Sequence, residues 1–171
     1  MRSEQDRATR TLRAGLDRAA RIGGVATPAV LAAIAALHAA WALGSPWPAG
    51  TQRELAEAVL SQGERDRLDG GMPPAPLTAS VALVLLAAAG TVRGAATGPR
   101  SRTLRGAAWG VSAVFLARGV AYLPSDLIGG LDDTYRRLDL AVYSPLCLAL
   151  GATTAIAVRR ASPALNAGAG T

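Results

Sequence analysis

Between Asp69 and Arg93 the chain carries no ionisable side chain, and from Val81 to Ala89 it is built from Val, Ala and Leu alone. A helix on the surface of a water-soluble protein keeps a polar face, and this stretch has none. It is also long enough for a bilayer, whose hydrocarbon is crossed by about 20 predominantly apolar residues in a helix. Three more predominantly apolar blocks reach this length. One runs from Ile22 to Leu43 and ends at Gly44, Pro46 and Pro48; another runs from Leu104 to Leu123 before Pro124. The last runs from Leu138 to Val158 and is closed by Arg159 and Arg160. Together with Pro76 to Ala96, entered through Pro73 and Pro74, they predict an all-α fold, an integral membrane four-helix bundle occupying residues 22–158.

Arginine placement sets the expected orientation. Cytoplasmic loops are enriched in basic residues. Arg2, Arg7, Arg10, Arg13, Arg18 and Arg21 precede the first block, Arg100, Arg102 and Arg105 lie at the second loop, and Arg159 and Arg160 follow the last block. The other two loops hold only Arg53, Arg65, Arg67, Arg136 and Arg137, among many acidic residues. Both termini are therefore expected in the cytoplasm, in a multi-pass protein of a bacterial inner membrane. Every basic residue is Arg and none is Lys, as in GC-rich bacterial coding sequences.

Charged residues are 18% of the chain, against about 25% in ordinary soluble domains. The net charge of +6 does not point to nucleic acid, because most arginines flank the apolar blocks. The mixed, charged first twenty residues do not read as a signal peptide. Residues 1–21 instead form a basic segment with Ala8, Leu12, Leu16, Ala19 and Ile22 on one helical face and arginines on the other. Such a helix either lies on the anionic inner leaflet or extends the first span into solvent. Thr51-Gln52-Arg53-Glu54 is a capping-box pattern opening a short helix to Leu60, expected to cover the outer mouth of the bundle. Gly90 and Gly94, and Gly106 and Gly110, have the small-x-x-x-small spacing that permits close helix packing, without specifying a dimer. The Ala- and Gly-rich residues 159–171 are expected to be a disordered tail.

Ionisable groups at membrane depth are costly unless paired, so each one is a candidate for function. His38 lies six residues before Gly44 and Arg118 six before Pro124, each about 9 Å inside its helix end at 1.5 Å per residue. Asp139 and Tyr143 occupy the first turns of the fourth block. Arg93 sits near the inner end of its helix, where its side chain snorkels to the interface. The helical spacings His38 and Trp41, Phe115, Arg118 and Tyr122, and Asp139, Tyr143 and Cys147 each make one stripe. If the stripes face inward, His38, Trp41, Arg118, Tyr122, Asp139 and Tyr143 line a ligand site near the outer leaflet. His38, Asp139 and Tyr143 are then the acid/base candidates. Pro145 adds a freed backbone carbonyl near residue 141.

The segments His38-Ala39-Ala40-Trp41-Ala42-Leu43-Gly44, Arg118-Gly119 and Leu138-Asp139-Leu140-Ala141-Val142-Tyr143-Ser144-Pro145-Leu146-Cys147 resemble a bacterial membrane-protein family catalogued as domain of unknown function 3995. The resemblance extends over roughly residues 25 to 158 and is loose between Gly119 and Leu138. It implies four spans and supplies no activity.

Three functions are compatible with this pattern. In the plainest, Arg118 and Asp139 are a buried ion pair that only fixes helix register. In the second, the polar layer and its apolar walls bind or transport a lipophilic small molecule. In the third, the layer is the acid/base centre of a membrane-embedded enzyme acting on an isoprenoid or lipid substrate. One His and one Cys make no metal site, and neither a Gly-rich phosphate loop, a nucleophile elbow nor a redox cysteine pair occurs. No metal or cofactor is expected, and the expected partner is membrane lipid.

Overall fold

The computed structural model describes residues 2–97, 101–121 and 133–160, and all its regular elements are helical. Helix α1 (Arg2–Ala42) is followed by α2 (Gln52–Val59), α3 (Gln62–Arg67), α4 (Ala75–Thr97) and α5 (Arg102–Ala121). A short α6 (Thr134–Leu138) runs through a π-helical turn (Asp139–Tyr143) into α7 (Ser144–Arg160). Three of these are long and apolar enough to cross a membrane: α1 from Thr9 to Ala42, α4, and the composite helix from Thr134 to Arg159. Helix α5 is not among them. Its 20 residues include Arg102, Arg105 and Arg118.

Helix α1 is 41 residues long and unbroken across Pro28, a rod of about 60 Å at 1.5 Å per residue. The basic N-terminal segment and the first apolar block are thus one helix. Its leading third keeps apolar side chains in the open, Leu12 at 68% and Leu16 at 43% exposure. The tail beyond residue 160 lies outside the described residues.

Helix α1 packs chiefly on α4, and α5 chiefly on α7, with further contacts between α1 and α7 and between α4 and α5. Leu31, Ala89, Val92 and Leu150 form the main buried cluster, and Phe115 and Leu146 pack onto it. Ala95, Ala108 and Val158 form a second. Side chains on the opposite faces stay uncovered: Leu83, Val84 and Val114 are each 67% exposed. Apolar burial therefore accounts for the helix contacts, while a wide aliphatic surface is left on the outside.

The close approaches fall at glycines other than the expected ones. A Cβ on Gly119 would sit 2.7 Å from Leu148 Cγ, and one on Gly151 would sit 2.7 Å from Leu116 Cγ. Each helix of the α5–α7 pair thus receives a leucine of the other, and the buried Ser112 hydroxyl donates across the same contact to the Gly151 carbonyl at 2.8 Å. Gly90, Gly106 and Gly110 face open space, and Gly94 meets only Leu104 at ordinary distance. The expected spacings are therefore not where this chain brings its helices together.

The capping box at the start of α2 forms as its sequence predicts: the Thr51 hydroxyl accepts from the Glu54 amide, and Glu54 Oε2 accepts from the Thr51 amide. Leu55 and Ala56 on α2 are buried. Gln52 Nε2 donates to the Gly44 carbonyl at 2.7 Å, and Arg65 Nη1 donates to the Leu60 carbonyl at 2.8 Å. Helices α2 and α3 form a small cap at the end of the long helices remote from the N-terminus, with α2 touching α6.

Candidate functional site

Asp133 caps α6 by accepting from the Tyr135 amide at 3.2 Å, which starts this helical segment four residues before the expected Leu138. That extra turn brings Tyr135, one α-turn before Asp139, into the protein, where it is buried. Next comes the π turn, in which the Ser144 amide bonds to the Asp139 carbonyl. Pro145 supplies no N–H for the ladder, and the wider turn accommodates its absence. A π turn holds one extra residue. The side chain stacked below Asp139 is therefore Ser144, five residues on, where an α-helix would offer Tyr143.

The consequence is a compact cluster. Asp139 is 0% exposed. Its Oδ1 accepts from Arg118 Nη2 at 2.7 Å, and its Oδ2 accepts from the Ser144 hydroxyl at 2.6 Å. The same Arg118 nitrogen donates to the Tyr135 hydroxyl at 2.9 Å. The Arg118 side chain is about one-third exposed, at 32%, and α5 brings its head to a carboxylate closed off in the helix interface. The Tyr143 ring stands 6.2 Å from that of Tyr135, and its hydroxyl donates to the Ala58 carbonyl in the cap at 3.1 Å. A second tie runs nearby, from Arg65 to Asp133 at 3.2 Å.

Of the residues expected in one polar layer, Arg118 and Asp139 are brought together and Tyr143 lies beside them, turned toward the cap. His38 and Trp41 make their contacts elsewhere. The His38 ring nitrogen Nδ1 bonds to the Ile34 carbonyl at 2.9 Å, and its ring lies 4.8 Å from that of Trp41. The Trp41 indole donates to the Trp47 carbonyl at 2.7 Å. Both line a separate, mainly apolar cavity. Phe115 joins the apolar core, and Cys147 is a free, half-buried thiol. Tyr122 lies outside the described residues. Tyr135 and Ser144 were missed by the spacing argument. Asp133-Thr134-Tyr135, a helix-capping pattern one turn before Asp139, was the signal for the first; Pro145 was the signal for the second.

These features define a helical protein whose apolar helices enclose an Arg–Asp–Tyr–Ser cluster. The chain belongs to the family described as protein of unknown function (DUF3995), whose model matches residues 31–154. That stretch contains every residue of the cluster as well as His38 and Trp41. No curated protein and no solved structure matches the chain.

Proposed function

We propose that the chain is an integral membrane protein of a bacterial inner membrane, with four spans and both termini in the cytoplasm. In this reading the Arg118–Asp139 cluster is a fastening that holds the spans and the outer cap in register. The observation that carries it is the state of Asp139, closed to solvent with both carboxylate oxygens already bonded. A general acid or base must reach its substrate's proton, and a ligand's polar head needs an accessible partner. Asp139 offers neither. The uncovered aliphatic faces of α4 and α5 suit surrounding hydrocarbon. The arginine distribution supports the orientation, with the α2–α3 cap on the outside.

The fastening predicts an asymmetric mutant cycle. Arg118→Leu leaves a carboxylate buried without its cation and should lose about 3–5 kcal/mol. Asp139→Leu should lose less, because the Arg118 side chain is already partly exposed and the carboxylate it pairs with is not. The combined Arg118→Leu/Asp139→Leu variant should regain most of the loss, since an apolar replacement of a buried pair is often close to neutral. Reversible unfolding in mixed micelles measures all three. Losses that simply add in the pair would count against the fastening.

A further inference from the structure

The cavity that takes His38 and Trp41 has a volume of about 280 Å³ and lies between α1, α4 and the segment linking the cap to α4. Leu60, Met72, Pro73 and Val81 supply apolar wall. Its polar groups are few, and most have partners. The Trp41 N–H is held by Trp47, and the Thr78 hydroxyl is directed to the Pro73 carbonyl at 3.5 Å. The His38 ring differs. A carbonyl can only accept, so Nδ1, which bonds to Ile34, carries the proton of the neutral ring. Nε2 is then a hydrogen-bond acceptor, and no donor among the described residues meets it.

We propose that this cavity binds the hydroxyl end of an uncharged membrane amphiphile, a long-chain or isoprenoid alcohol, whose O–H donates to His38 Nε2. An acceptor calls for a donor, which ethers, esters and plain hydrocarbons lack. No carboxylate lines the cavity, so an ammonium head would be desolvated without a counter-charge. An anionic head would meet a lone pair. At about 280 Å³ the volume falls just below that of ligand sites, which run from about 300 to 1,000 Å³. It therefore houses the head and first carbons of a chain. The remainder leaves over Leu77 and Val81, which line the cavity and are 57% and 37% exposed.

The inference rests on the membrane setting proposed above only for the source of its ligand. His38 is the single histidine of the chain, so its imidazole can be observed alone. The test uses full-length, ¹⁵N-histidine-labelled protein in phosphatidylcholine nanodiscs, with farnesol and farnesyl methyl ether added at equal mole fractions. Farnesol should shift the Nε2 resonance saturably, and the ether should leave it in place. Val81→Trp, which fills the cavity and keeps the histidine, should weaken the farnesol response at least tenfold. Equal shifts from alcohol and ether, no shift from farnesol, or an undiminished response in Val81→Trp would each overturn the proposal. The comparison of alcohol with ether stands on the unmodified chain, should the variant not fold. Failure of the membrane setting would be seen separately, as a chain that stays dispersed without detergent or lipid.

Discussion

Ser144 and Tyr143 are neighbours with different tasks, and the π turn assigns them. Ser144 satisfies an oxygen of a fully buried carboxylate, whereas Tyr143 reaches a half-buried carbonyl of the cap. Leaving a buried acceptor unsatisfied costs more than losing an ordinary hydrogen bond. Ser144→Ala should therefore destabilise by about 1–3 kcal/mol and Tyr143→Phe by about 0.5–1.5 kcal/mol. Chemical denaturation in micelles checks the order. The opposite ranking would mean that the phenol, and not the serine, completes the cluster. Residue type alone favoured the tyrosine, since a phenol within an apolar block stands out and a serine does not.

Among the elements, the α5–α7 contact depends most on a few small residues. Gly151→Val would force a side chain into Leu116, whose backbone nitrogen lies only 3.0 Å from the new Cβ position. Overpacking of this kind costs about 1–3 kcal/mol. Gly90→Ala and Gly110→Ala meet open space, and each should gain up to about 1 kcal/mol from helix propensity. Melting followed by circular dichroism separates the two groups, and similar behaviour of all three variants would refute the assignment. The apolar blocks and the Thr51 capping box were legible in the sequence because both signals are local. Which glycines meet a neighbour was not legible, since helix rotation settles it and weak amphipathicity in α4, α5 and α7 leaves rotation unmarked. The pairing of Arg118 with Asp139 was legible for a different reason: two opposite charges set within apolar helices have few other partners. His38 was placed with them from its depth and its stripe with Trp41; helix rotation, which neither fixes, brings it to the Ile34 carbonyl and a separate cavity.

The described residues form two parts joined by a seam: long apolar helices, and a cap tied to them by Arg65–Asp133 and Tyr143–Ala58 among other contacts. Arg65 is largely buried, with a side-chain exposure of 12%, and also braces the cap through Leu60 and Gln62. Arg65→Ala should therefore speed amide exchange throughout α2 and α3 at least tenfold while α4 and α5 exchange as before. Hydrogen-exchange mass spectrometry resolves these segments, and uniform protection would show that the seam does not hold the cap.

The π turn also makes the chain tolerant of a change in length at one place. Deleting Ala141 would let the helix close with ordinary α geometry and leave Asp139 four residues before Ser144, on the same face. Tyr135 would keep its side toward Arg118, and Asp133 its side toward Arg65. The same deletion one turn further on, inside α7, would instead swing everything before it about the axis by roughly 100°. A residue of contour is thus slack inside the π turn and a misalignment outside it.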